Sequence, residues 1–387
     1  MPAPRPGWRS SLAERASSLK KAAPPHPDLR AFPWLPPDWV LAAVRRGRDQ
    51  IGAAHGRLVP APVAVLEMLL GQIDSRVVGL LVELGVPDAL DEPATLLELA
   101  ERVSAKAEAL ERLLSYAAAR DLVARDGDRY AATALTRTLM EGPGSMAPFA
   151  RFFASGWNAD IWAGLGEALR DGGTAAEHAL GMPFFDWLDA HPAEATDFHQ
   201  GMDALSSLNR PWISERYDFT RYEAICDVGG GVGANLAAIL QAAPQARGVL
   251  FDRPEVVQRG EARLATLGLQ SRVTLAGGSF FETVPTGCDL YVLQAIVHDW
   301  GDEQMGALLR RIRAARAPGG RLLVIEACLP EGDGWHVARA MDLQMLVSTG
   351  TGRERTESQF RALFAAGGWE LLSATETPMQ VWIYELG

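Results

Sequence analysis

The chain is 387 residues long, with 48% hydrophobic and 22% charged residues and a formal net charge of −11. That balance belongs to a folded protein of two or three domains and excludes a wholly disordered chain or a disulfide-stapled miniature. No run of about 18 apolar residues is free of charge, so no membrane span is expected. Met1–Lys21 has no apolar core of the signal-peptide type, and Cys226, Cys288 and Cys328 are scattered without metal-ligand spacing. These features point to a cytoplasmic protein with no bound metal, and the acidic charge speaks against a nucleic-acid partner.

Residues 1–62 hold 11 of the 24 prolines and carry +6 (10 basic against 4 acidic side chains), which leaves −17 for the rest. Proline disrupts helix interiors and strand ladders. Residues 1–55 therefore read as a basic arm, extended or partly disordered, with one helix near Trp39–Ile51. Residues 56–145 read as a compact, mainly α unit. Val63–Leu84 has helical apolar spacing and is closed by Gly85 and Pro87. Thr95 with Glu98 three residues on makes a capping box ahead of Leu96, Leu97 and Leu99. Ala107–Arg120 repeats apolar residues at three and four, and Leu122–Tyr130 reads as two short strands about an Asp126-Gly127 turn. Helices followed by such a hairpin give a winged-helix pattern. Residues 61–145 hold 8 basic and 14 acidic side chains, a surface that repels phosphate, so pairing with a second subunit is favoured over binding DNA.

Residues 146–387 form the third region. Its first part, to residue 220, is helical and aromatic (Phe149, Phe152, Trp157, Phe184 and Trp187 among others), mostly core by expectation. From Arg221 strands and helices alternate. Strands are expected at Ala224–Val228, Gly248–Phe251, Val273–Leu275, Leu290–Val292 and Leu322–Ile325, with helices Asn235–Ala242, Glu255–Leu267 and Glu303–Ala317. Alternation of this kind predicts a mostly parallel α/β sheet whose ligands bind at the carboxyl ends of its strands.

Two features there point to a nucleoside. Gly229, Gly230, Gly231 and Gly233 follow the first strand and let the backbone turn tightly. Asp252 ends the second, 19 residues after Gly233, where an acid accepts from a ribose diol. With Ala234 present, the turn alone leaves a nicotinamide cofactor open. Asp227 tilts against it, because its charge would repel a pyrophosphate and attract a cationic methionine-type ligand.

Five segments then occur in order: Asp227–Gly233, Leu250–Val257, Gly278–Glu282, His298–Glu303 and Gly352–Thr356. Together they resemble the S-adenosylmethionine-dependent O-methyltransferases of the plant caffeate and bacterial polyketide-tailoring type, over about residues 63–387. The resemblance implies a Rossmann-like, mostly parallel seven-stranded sheet behind an N-terminal winged-helix-like dimerisation domain, and hence a homodimer. It implies S-adenosylmethionine as cofactor and S-adenosylhomocysteine as product. Gly229, Gly231 and Gly233 would back the methionine part, with Asp227 near it, and Asp252 would hold the ribose. Ser279 and Phe280 would lie at the adenine, with Trp300 stacking on it. Ser279 stands where the family commonly has aspartate and Gln294 where lysine is frequent.

His298 would be the general base and Glu326 and Glu354 the carboxylates that orient it. A phenol has a pKa near 10, so a base of pKa about 6.5 that takes its proton assists attack on the methyl carbon. Met202, Met341, Met345 and Thr349 would wall the acceptor pocket. The expected reaction is methyl transfer to a phenolic hydroxyl of a small aromatic natural product. The alternative is a methyltransferase-like enzyme that uses the bound cofactor for hydroxylation, decarboxylation or cyclisation.

Overall fold

The structure is a computed structural model that describes residues 38–387; residues 1–37 of the expected arm lie outside the described residues. The helix expected near Trp39–Ile51 runs Asp38–Leu58. Two compact units make up the described chain, one of residues 84–140 and one of residues 38–83 with 141–387.

In the smaller unit, helices Val86–Ala89, Leu96–Arg102, Ala107–Ala119 and Ala134–Thr138 accompany three short strands, β1 (Ala94–Thr95), β2 (Ala124–Asp126) and β3 (Arg129–Ala131). The order is β1-β3-β2 and all pairs are antiparallel. The hairpin β2–β3 is the expected one. β1 is an addition, too short for any periodicity to announce. Thr95 ends β1 and caps the next helix, its main-chain N–H donating to Glu98 Oε2 at 2.7 Å and its hydroxyl accepting from Glu98 N at 3.4 Å. Leu99, Leu110, Leu114 and Tyr130 form the buried interior.

The larger unit begins with the Asp38–Leu58 and Ala61–Glu83 helices and continues, after residue 140, through seven helices between Ala147 and Arg216. The Ala61–Glu83 helix packs on Ala147–Phe153. Gly79 permits that approach, because a Cβ there would strike Ala154, and Arg76 donates to the Ala154 carbonyl at 2.6 Å.

Eight further strands follow: β4 (Ala224–Val228), β5 (Arg247–Asp252), β6 (Val273–Gly277), β7 (Leu290–Gln294), β8 (Arg321–Leu329), β9 (Arg355–Thr356), β10 (Leu371–Glu376) and β11 (Val381–Leu386). Seven of them lie in the order β10-β11-β8-β7-β4-β5-β6, and β9 pairs beside β8. Strands β4 to β8 are mutually parallel where they pair, while β11 and β10 close one edge antiparallel. The pleat alternates between two cores. Cys226, Tyr291, Leu293, Leu322 and Val324 pack towards helices Asp302–Ala315 and Glu357–Ala366. Ile225, Leu290, Val292, Leu323 and Ile325 pack towards helices Ala234–Ala242 and Pro254–Thr266. Burial on both faces is why these strands read as short apolar runs. β8 is nine residues rather than the expected four, so Glu326 lies inside the strand rather than after it. Strand order reverses between β4 and β7, which opens a crevice beyond their carboxyl ends. Among the described residues no helix is long and apolar enough to cross a membrane.

Loss of the reciprocal cap should be measurable. Thr95→Ala is expected to lower stability by about 1 kcal/mol in chemical denaturation; an unchanged midpoint would show that the cap contributes nothing.

Candidate active site

Both central strands end at the crevice. After β4 the main chain curls under left-handed φ values of 72°, 56° and 78° at Gly229, Gly231 and Gly233, which a residue with a Cβ rarely adopts. The Gly229 N–H donates to the Phe251 carbonyl at 2.8 Å, and that of Gly231 to Asp252 Oδ2 at 2.8 Å. Asp252 Oδ1 accepts from Arg253 N at 2.7 Å. Each Asp252 oxygen thus keeps a lone pair for a diol. A Cβ on Gly231 would meet nothing within 4 Å, whereas one on Gly229 would collide with Ile296. The turn is therefore open at one glycine and packed at another.

Asp227 is buried beneath this turn at 1% exposure, and its Oδ2 has no hydrogen-bond partner. Burial and the neighbouring Asp252 carboxylate raise its carboxyl to about 7, against one backbone N–H, from Leu236, that stabilises the ion. Burial raises Asp252 too.

The segment after β7 carries the imidazole of the expected site. Ala295 takes a left-handed φ of 52°, and the turn aims two successive N–H groups, of Ile296 and Val297, at Glu326 Oε1 (2.9 and 2.6 Å). His298 follows. Its Nδ1 lies 2.9 Å from Glu354 Oε1 and 3.7 Å from Glu326 Oε2, while its Nε2 is 3.7 Å from Asp299 Oδ1. The His298 side chain is 19% exposed and those of both glutamates 1%. The acidic and imidazole atoms of His298, Glu326 and Glu354 all fall within 4.8 Å of one another. Burial pulls the imidazole down, but the charges of Glu326, Glu354 and Asp299 and the hydrogen bond to Glu354 outweigh it and hold His298 above its ordinary value. Burial raises Glu326 to about 7 and Asp299 to about 6, in both cases against the opposing pull of His298.

The loop bearing Glu354 is clasped to this segment. Arg353 N donates to the His298 carbonyl at 2.7 Å. The fully buried Arg355 donates to the carbonyls of Val297 and Trp300 at 2.7 and 2.8 Å and pairs with Asp302. A Cβ on Gly352 would sit 2.5 Å from the His298 oxygen.

Other expected residues occupy definite places. Trp300 meets Phe281 and Phe280 edge to face at 4.7 and 6.0 Å. The Ser279 hydroxyl accepts from Phe281 N at 3.3 Å, Arg311 holds the Phe280 carbonyl, and Gln294 ends β7 half-buried. Met341, Met345 and Met202 are half-buried on helices Val337–Ser348 and Pro192–Ser207. Thr349 bonds locally, donating to the Met345 carbonyl and accepting from Gly352 N.

Several neighbours escaped the sequence reading. Phe185 stacks on Trp300 at 5.8 Å and 21°. Asp189 pairs with Arg253, next to Asp252. Asp299 faces the free nitrogen of His298. Phe185 and Asp189 sit in a stretch with many aromatic and acidic residues, and no local signal separates them from the rest.

A parallel sheet with a glycine turn, a strand-end acid and a neighbouring His–carboxylate cluster is the arrangement of a nucleoside-binding α/β enzyme. The family is given by comparison. Residues 162–370 match the family model of the O-methyltransferase domain and residues 66–142 that of the O-methyltransferase dimerisation domain. The chain is 34% identical over 316 residues to phenazine O-methyltransferase of Lysobacter antibioticus, covering 81% of this chain and 92% of that one. It is 36% identical to the mitomycin biosynthesis 6-O-methyltransferase of Streptomyces lavendulae, covering 80% and 89%. Human N-acetylserotonin methyltransferase in complex with S-adenosylmethionine superposes with a TM-score of 0.79 at 27% identity, covering 85% and 97%. An aclacinomycin 10-hydroxylase of Streptomyces purpurascens is also similar, at 33% identity over 72% and 76%. The chain belongs to the O-methyltransferase family with an N-terminal dimerisation domain and is an S-adenosylmethionine-dependent methyltransferase.

The raised carboxyl of Asp227 has a consequence for stability. Its value in the folded protein exceeds the ordinary 3.8, so its ionisation opposes folding progressively as pH rises from about 4 through about 7. Asp227→Asn removes that opposition. The ligand-free variant should melt several degrees above the parent at pH 8 and level with it at pH 4, by scanning calorimetry; a lower melting point at pH 8 would contradict the assignment.

Proposed function

We propose that the enzyme transfers a methyl group to a phenolic hydroxyl of a small aromatic natural product, with His298 as general base. The observation that carries this reading is the 2.9 Å contact of His298 Nδ1 with the buried Glu354. A carboxylate there favours the tautomer with Nδ1 protonated, which leaves the Nε2 lone pair for the acceptor's proton. The names of the relatives support an aromatic acceptor.

The residues present fit the cofactor. Asp252, with a lone pair left on each oxygen, would hold the ribose hydroxyls, and the open side of Gly231 would admit close approach of the ligand beside Gly229 and Gly233. The orphaned oxygen of Asp227 would receive the methionine ammonium. Trp300 and Phe280 would flank the adenine, with Ser279 and Gln294 at its edge. Bound S-adenosylmethionine supplies an electrophilic methyl carbon. His298 takes the hydroxyl proton as the oxygen attacks, which is worth roughly 10²–10⁴-fold. Glu354 holds the ring in place, and Glu326 fixes the turn that carries it through two main-chain N–H groups. The half-buried Met202, Met341 and Met345 offer soft, adaptable walls for a flat acceptor, and Thr349 stiffens the loop beside them.

Residues 56–145 would form the pairing domain of a homodimer. Support comes from the dimerisation-domain match and from the Ala61–Glu83 helix, which leaves Met68 and Leu69 78% and 69% exposed. Apolar side chains grouped in that way mark an interaction surface.

His298→Ala should bind S-adenosylhomocysteine like the parent yet lose roughly 10²–10⁴-fold in turnover; full activity would refute the base. Mass spectrometry with a methyl-labelled cofactor separates the hydroxylase-like alternative, since conversion without gain of the label would favour it. The double variant Met68→Glu/Leu69→Glu should shift the dimer towards monomer in light scattering, and an unchanged mass would remove this helix from the interface.

A further inference from the structure

Among the described residues, the buried carboxylate oxygens without a hydrogen-bond partner are Asp227 Oδ2, Glu326 Oε2 and Glu354 Oε2, and all of them belong to the site. A buried, unpartnered anionic oxygen is costly, so such an atom either carries a proton or meets a cation. The surroundings contain little positive charge aimed at it.

Asp227 faces the Asp252 carboxylate and one N–H donor, that of Leu236. The Arg253 guanidinium beside Asp252 turns to Asp189 and Glu255. Around His298 stand Glu326, Glu354 and Asp299, all acids. The Asp342 carboxylate approaches the same loop, accepting from Glu354 N at 2.9 Å. The nearby guanidiniums are engaged elsewhere: Arg355 with the carbonyls of Val297 and Trp300 and with Asp302, and Arg353 with Asp302. The imidazole is thus the basic partner of three carboxylates, two of them almost wholly buried. Burial raises the carboxyls of Asp227, Glu326 and Asp299 and the surrounding carboxylates raise His298, so bound protons, on the imidazole and on the buried carboxyls, balance part of this charge.

We propose that the cofactor enters in exchange for protons: Asp227, His298, Asp299 and Glu326 hold protons when no cation is near, and give up more of them to the sulfonium ligand than to its thioether product. This rests on the reading above, in which these residues face the cofactor and acceptor. The two ligands share the methionine ammonium and carboxylate and differ by one positive charge at sulfur. Asp227 answers the ammonium common to both, and the His298 cluster answers the charge at sulfur. Each proton lost passes to solvent buffer, and by linkage the affinity rises with pH in proportion to the protons released. His298 then becomes a free base chiefly when the methyl donor is loaded. Loss of the sulfur charge after transfer favours its keeping the acceptor's proton.

Isothermal titration of the full-length enzyme tests this, with S-adenosylmethionine and S-adenosylhomocysteine titrated separately in phosphate, HEPES and Tris at about pH 7. The slope of binding enthalpy on buffer ionisation enthalpy counts the protons. S-adenosylmethionine should release roughly half a proton or more and bind roughly 3–10-fold tighter at about pH 7.5 than at about pH 6. S-adenosylhomocysteine should give a smaller slope. The difference between the two ligands should shrink in Glu326→Gln or in Glu354→Gln, whichever retains the parent's circular dichroism spectrum. Equal slopes for the two ligands, or enthalpies independent of buffer, with both ligands binding, would overturn the proposal. Failure of both ligands to bind would instead overturn the cofactor reading beneath it.

Discussion

The contact between His298 Nδ1 and the buried Glu354 carboxylate holds the imidazole by one of its two nitrogens. Much of the surrounding structure keeps that contact in place. Glu354 lies on a loop far along the chain from His298, and only 1% of its side chain is exposed. Its position depends on Gly352, which has no side chain to push against the His298 carbonyl. It depends also on Arg355, whose guanidinium bridges two carbonyls of the histidine segment. Replacing such a clasp by apolar packing would leave those carbonyls unsatisfied in the interior.

The two glutamates do different work. Both were expected to orient the imidazole. Glu354 is within hydrogen-bond distance of it, whereas Glu326 at 3.7 Å contributes charge and accepts its hydrogen bonds from the main-chain N–H groups of Ile296 and Val297. The left-handed Ala295 makes the second arrangement possible by turning consecutive N–H groups the same way. Ile296 also packs on Gly229, so the His298 segment and the glycine turn are in mechanical contact. A carboxylate within β8 therefore fixes the turn that carries His298, and a loop carboxylate holds its ring.

What the sequence made legible was local. The glycine turn, the acid ending β5 and the His298 segment are each contiguous, and their spacing follows from one strand and one turn. The capping box at Thr95 is equally local, and the structure has it at the same residues. The antiparallel edge of β10 and β11 was not legible, because Leu371–Glu376 mixes apolar and polar residues on a half-buried strand. Phe185 on Trp300 and Asp189 with Arg253 join residues far apart in the chain, and no single-sequence pattern encodes such partners. The length of β8 was underestimated because the acidic Glu326 interrupts its apolar run, and that same interruption marks the site.

The most direct test of the base assignment is the crystal structure of the enzyme with S-adenosylhomocysteine and a methylatable phenol. The account predicts the phenolic oxygen within about 2.6–3.2 Å of His298 Nε2, with Nδ1 still on Glu354. An acceptor oxygen held by another side chain, with the imidazole turned away from it, would contradict the account.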